Sequence, residues 1–299
     1  MSRTAAAALA SLVLLSSNSV AQHPTSELVS WSPSPPANGS ALLLTVRRMV
    51  DTSDAIKGVT GSLADQELHF ERSDGGNFVA LGAIPIEAGD TLELSLTVNW
   101  SAGEQQRLVV LIPSRRVNFG ADTLSVATRF TEEPDSALAE RIERERELAR
   151  GVTPIAHRTE RIWSGRFMRP LSTEITSGFG RARVMNGEVQ SRHLAVDLDG
   201  EGGEPVFATG GGLVALVRNF YYSGNVVFIN HGAGLITAYS HLSRAAVVEG
   251  QNVTRGQIIG RVGSTGRVTG PHLHWTARYG TVPIDPLSLL HPELTAALP

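Results

Sequence analysis

Two short runs carry residue types suited to metal chemistry. Arg192-His193-Leu194-Ala195-Val196-Asp197 sets a histidine and a carboxylate four apart, and Gly270-Pro271-His272-Leu273-His274 sets two histidines two apart. A histidine, a carboxylate and a further histidine are what a catalytic zinc needs, with its fourth position left to water. His241 and His272 are then left as candidates for proton transfer, because imidazole titrates nearest to neutral pH. The chemistry these residues suggest is hydrolysis.

Each pattern alone is common in a chain with nine histidines. Their concentration is more informative, since His193, His231, His241, His272 and His274 all fall late in the chain. Alternate side chains of a strand share a face. His272 and His274 are therefore co-facial if Pro271 to Thr276 is extended, and so are His193, Ala195 and Asp197. Two adjacent strands of this kind bring three ligands to one metal.

The elements that must position these residues are mostly strands. Leu92, Leu94, Leu96, Val98 and Trp100 alternate with polar residues and predict a half-buried antiparallel strand. Leu42 to Val46 and Leu108 to Ile112 have strand length, and such spacing suggests a small sandwich. Its one histidine, His69, reads as an ordinary strand residue. Farther on, Val214 to Val217, Val226 to Ile229 and Leu235 to Tyr239 read as strands. Gly210 to Gly212, Ser223 to Asn225 and Gly232 to Gly234 read as turns. Between these regions, Glu132, Glu133 and Asp135 surround Pro134, and Ala139 to Arg150 is dense in Glu and Arg. With Gly151 as its stop signal, this run predicts a solvated linker helix with a narrow stripe of Leu138, Ile142, Leu148 and Ala149. His157 has no assigned role.

The resulting division is residues 1–21 as signal peptide, 22–125 as a β-rich accessory domain, 126–165 as a helical linker and 166–299 as the catalytic domain. Arg3, the apolar run Ala5 to Leu15 and Ser19-Val20-Ala21 supply the three parts of a cleavable export signal. The apolar run is too short to cross the roughly 30 Å hydrocarbon core comfortably. The expected location is the periplasm or the extracellular envelope. The absence of cysteine removes disulfides, thiolate ligands and a cysteine nucleophile together. A formal charge of -3, with no long basic run, argues against a nucleic-acid partner.

Residues 171–290 resemble the lysostaphin-type (LytM) zinc metallopeptidases of bacterial peptidoglycan. The matching segments begin with Thr176-Ser177-Gly178-Phe179-Gly180-Arg181, His193 to Asp197 and Gly203 to Ala208. They continue through Gly224 to Val227, Tyr239-Ser240-His241-Leu242-Ser243 and Gly256 to Gly260, and end with Gly263 to Gly266 and Thr269 to His274. The resemblance implies that His193, Asp197 and His274 hold one Zn2+ and that His241 and His272 are catalytic. It implies a mostly β fold: an N-terminal β-sandwich-like accessory domain, a linker helix and an antiparallel β catalytic domain with a long groove. Tyr221, Tyr222, Tyr239 and Trp275 are candidates for the groove walls. His231 falls outside the implied ligands and reads as structural.

The implied function is endopeptidase cleavage of peptidoglycan stem-peptide crosslinks in cell-wall remodelling. An alternative is a non-enzymatic regulator of other wall hydrolases, since degenerate relatives lose their ligands. Another is a peptidase acting on proteins. The N-terminal domain could inhibit, target or dock an envelope protein partner. Two positions depart from the family pattern. Ala195 stands where glycine is usual, and Thr276 stands where glutamate is common.

Overall fold

The computed structural model describes residues 28–48, 55–123, 135–185 and 188–295. The expected signal segment at residues 1–21 lies outside them. The N-terminal strands in chain order are β1 (Val29–Ser32), β2 (Ala41–Val46), β3 (Ile56–Leu63), β4 (Gln66–Leu68), β5 (Glu71–Arg72), β6 (Phe78–Ala83), β7 (Thr91–Trp100) and β8 (Gln105–Pro113). They pair into two antiparallel sheets, β1-β2-β6-β5 and β4-β3-β7-β8. The period-2 pattern of β7 buries Leu94, Leu96, Val98 and Trp100 on one face. They share a core with Leu42 and Leu44 of β2 and Val110 and Ile112 of β8, which makes the pair a β-sandwich.

The chain then forms β9 (Ala121–Thr123) and the helix α1 (Ser136–Arg158). The Asp135 carboxylate caps α1 by accepting the Leu138 N–H at 2.8 Å. The expected stop at Gly151 is wrong: α1 runs on through Gly151 and Pro154. In isolation those residues disfavour a helix by about 1 and about 3 kcal/mol. Burial of Val152, Thr153 and Ala156 against the neighbouring sheet overrides that local preference. The helix is also less solvated than a linker. Ile142 is buried on its inner face, while ion pairs such as Arg141–Glu145 and Arg150–Glu143 decorate its outer face.

The remaining strands are β10 (Ile175–Ser177), β11 (Ala182–Met185), β12 (Glu188–Arg192), β13 (Val196–Asp199), β14 (Pro205–Phe207), β15 (Gly212–Phe220), β16 (Gly224–Gly232), β17 (Leu235–Leu242), β18 (Arg244–Ala245), β19 (Asn252–Val253), β20 (Ile258–Arg261), β21 (His272–Tyr279) and β22 (Val282–Ile284). The main antiparallel sheet has the order β10-β13-β21-β17-β16-β15-β19, with β22 paired to β21. Two small sheets, β14-β20-β18 and β12-β11-β9, flank it.

Both faces of the central strands are covered, so β17 is buried at every residue. On one face, Val227, Ile229, Tyr239, Leu273 and Trp275 belong to a single core. On the other, Val226, Phe228, Ile236 and Ala238 meet Val152 and Ala156 of α1. The sandwich is continuous with this body, because its core also takes in Leu235, Ala277, Tyr279, Val282 and Ile284.

Candidate metal centre and groove

Sheet register assembles the centre. Asp197 on β13 stands opposite His274 on β21, and Ser240 on β17 flanks His274 from the other side. His193 lies just before β13, beyond the end of β12. Its Nε2 is 3.2 Å from Asp197 Oδ1 and 3.3 Å from His274 Nδ1, and His274 Nδ1 is 2.7 Å from Asp197 Oδ1. Three ligand atoms thus converge on one point, the spacing a small divalent cation requires.

The β21 strand keeps the expected alternation. His272, His274 and Thr276 are half-buried on one face, and Leu273, Trp275 and Ala277 are buried on the other. His272 Nε2 sits 3.9 Å from Asp197 Oδ1. The His241 ring lies 4.9 Å from the His272 ring and 5.4 Å from that of His274, centre to centre. His241 has φ +63, a left-handed backbone conformation that few side chains adopt. Its N–H donates to Ser223 O at 2.8 Å, which ties this turn to the start of β16.

Backbone carbonyls fix the imidazole tautomers. A carbonyl can only accept, so each ring nitrogen beside one carries the proton. His193 Nδ1–H donates to Gly178 O (3.1 Å), leaving Nε2 for a metal. His241 Nδ1–H donates to Thr265 O (2.9 Å) and His272 Nδ1–H to Gly270 O (3.0 Å). Each of these two therefore keeps Nε2 as a proton acceptor.

Electrostatics agree with the geometry. Burial pushes the Asp197 carboxyl up, but the adjoining His193 and His274 rings outweigh it and hold the group well below the usual carboxylate range. Burial pushes His241 down to about 3, with nearby His274 adding to the shift. Burial also lowers His274, against the pull of Asp197. His241 is therefore neutral at pH 7, the form that accepts a proton.

Other expected residues fall elsewhere. Tyr239 and Trp275 are fully buried and cannot wall a groove. Both occupy strand positions that point to the core, and the Tyr239 hydroxyl accepts Thr209 N–H at 3.0 Å. Tyr222 does line a cleft of about 230 Å³ beside His274, together with Glu145 and Arg146 of α1. A second cleft of about 220 Å³ lies across His274, Thr276 and Arg278. His231 is wholly buried away from this centre, where its Nδ1–H donates to Gly211 O at 2.7 Å and Nε2 meets Thr237 Oγ1 at 2.8 Å. Ala195 has no left-handed φ, so the lost glycine costs nothing there.

Sequence reasoning missed α1 and Arg278 as groove residues. The α1 contribution had no sequence signal, because it depends on which sheet face the helix covers. Arg278 was legible, since it lies two and four residues beyond Thr276 and His274 on the same face. It borders both clefts, and no carboxylate among the described residues pairs with it.

Residues 191–286 match the model of Peptidase family M23. A peptidoglycan DD-endopeptidase of Vibrio cholerae, ShyA, is 51% identical over 83 residues, which cover 28% of this chain and 19% of the relative. The DD-carboxypeptidase/endopeptidase Mpg of Neisseria meningitidis is 42% identical over 127 residues, covering 42% of this chain and 29% of the relative. The chain thus spans about a fifth to three tenths of these curated relatives. The crystal structure of a putative peptidase M23 from Pseudomonas aeruginosa shares the fold, with a TM-score of 0.63 at 23% identity over 86% of this chain and 96% of that one.

Proposed function

We propose, for a chain that carries a Peptidase family M23 domain, a zinc-dependent endopeptidase that cleaves peptide crosslinks of bacterial peptidoglycan in the cell envelope. The observation that carries this reading is the convergence of His193 Nε2, Asp197 Oδ1 and His274 Nδ1, with His241 and His272 beside them.

The donor set fits zinc: two neutral imidazole nitrogens and one ionised carboxylate oxygen, open to a cleft. His193, Asp197 and His274 would hold the ion. Bound there, zinc supplies Lewis acidity, polarising a carbonyl and bringing the pKa of water toward about 7.

The chain's own residues do the rest. His241 and His272 offer two Nε2 acceptors, which orient a water for attack on the scissile carbonyl and take its proton. The imidazolium so formed returns that proton to the leaving amine. The Asp197 carboxylate, 3.9 Å from His272 Nε2, stabilises positive charge gathered on that ring. Arg278, on the same face, supplies a fixed positive charge for a substrate carboxylate.

The relatives' names support this substrate class: ShyA is named a peptidoglycan DD-endopeptidase and Mpg a DD-carboxypeptidase/endopeptidase. A purely regulatory role would leave the full set of ligands and proton acceptors without a purpose. Digestion of purified peptidoglycan, with mass spectrometry of the released muropeptides, tests the proposal. New fragments that depend on His272 are expected, whereas intact muropeptides from zinc-loaded protein would refute it.

A further inference from the structure

Glu67, His69 and His157 come together although the first and the last are 90 positions apart in sequence. Glu67 is the middle residue of β4, His69 follows that strand, and His157 sits in the last turn of α1. His69 is not the strand residue its neighbours suggested. Its Nε2 lies 2.8 Å from His157 Nδ1, with ring centres 5.1 Å apart. One ligand atom from each of the three residues lies within 4.8 Å of the others.

We infer that these three residues form a second transition-metal site, holding one zinc ion that ties the β-sandwich to the end of α1. Two imidazole nitrogens and a carboxylate oxygen are the donor chemistry of the first centre, in a different place. One hydrogen bond between the rings accounts for a single proton between two nitrogens. A cation there would engage both lone pairs at once.

The surroundings hold the ligands in place independently of any ion. The Tyr279 hydroxyl donates to Glu67 O at 2.8 Å, and Thr281 N–H donates to Gln66 Oε1 at 2.9 Å. The His157 ring stands edge-on to Tyr279 at 5.7 Å. Gly280, at φ +55, leaves room that a Cβ would fill: an added carbon would lie 2.6 Å from His157 Nε2. Glu67 is exposed, so its carboxylate can turn toward the imidazoles without disturbing the core. Tyr279 also ends β21, the strand that begins at His272. The ion would therefore fasten the sandwich to the far end of the strand that carries the catalytic histidines.

The test titrates zinc alone onto the full chain carrying His274→Ala, with metal counted by mass spectrometry and folding checked by circular dichroism. One equivalent is expected, against two for the unaltered chain. Adding Glu67→Gln or His69→Ala should weaken that remaining site by about tenfold or more, equivalent to about 1.4 kcal/mol. A folded His274→Ala chain that binds no zinc overturns the inference. So does zinc binding that neither second substitution weakens. If His69→Ala disturbs the fold, the exposed Glu67→Gln variant decides.

Discussion

Asp197 and His274 are a directly opposed cross-strand pair whose side chains meet at 2.7 Å. Sheet register alone thus brings together residues 77 apart in sequence. A one-residue slip of β13 against β21 would send one of the two to the opposite face. The core residues Leu198, Leu273 and Trp275 forbid that slip, because it would expose them. The stability of the core and the geometry of the proposed metal centre are therefore the same constraint.

His272 and His274 sit on one face of one strand but have different partners, so their replacements should separate. His274→Ala removes a ligand, and zinc at this centre should fall below one equivalent. His272→Ala should retain the zinc and lose turnover by about 10²- to 10⁴-fold, the usual contribution of a positioned acid-base group. Metal analysis beside a muropeptide assay reads both. Equal zinc loss in the two variants would contradict the assigned roles.

Arg278 should act on substrate binding rather than on the metal. Arg278→Gln keeps a hydrogen-bonding side chain but removes the charge. KM for a stem-peptide substrate should rise by about tenfold, the effect of one charge-assisted contact worth about 1.5 kcal/mol. Zinc content should not change. Amidating the substrate carboxylates should produce the same loss in the unaltered enzyme and little further loss in the variant. If amidated and free substrates are cut alike by the unaltered enzyme, Arg278 has another task.

The parts of the molecule that depend on local pattern were legible in the sequence. The alternation in β7 and in the His272–His274 run stated their faces directly, and the structure keeps them, whereas His193 reaches the centre from the bend before β13 rather than from the extended strand its run suggested. Two misreadings share a cause. Tyr239 and Trp275 looked like groove residues by type, yet Trp275 lies between His274 and Thr276 and must point away from them. Gly151 looked like a helix stop, yet the sheet under Val152 and Ala156 pays for continuation. The His69–His157 pair had no local signal at all, since its 88-residue separation is closed only by tertiary packing.

Gly151 offers a direct check on that helix. A Cβ built there meets nothing within 4 Å, and the residue lies inside α1. Gly151→Ala should therefore stabilise the protein by about 0.5 to 1 kcal/mol, from a smaller entropy loss on folding. Urea unfolding at pH 7.5 reads this as a higher midpoint with an unchanged slope. A destabilised variant would mean that the helix breaks at residue 151.

His231 should make the fold sensitive to mild acid. Burial pushes its pKa down to about 4, below the value near 6.5 it has when exposed. Between those values the unfolded chain binds more protons than the folded one, so stability rises with pH across the window. The contribution is complete above about pH 6.5 and is lost as pH falls toward 4. For a fully buried group, a shift of this size corresponds to about 3 kcal/mol. Urea unfolding of chelator-treated protein from pH 4.5 to 8 measures the slope without interference from metal. His231→Gln is expected to lower stability at pH 8 and to flatten the dependence below pH 6.5. The comparison of slopes is decisive, because a lost hydrogen bond shifts every pH equally whereas a lost titration removes the curvature. A variant that keeps the full acid sensitivity would assign it to another buried group.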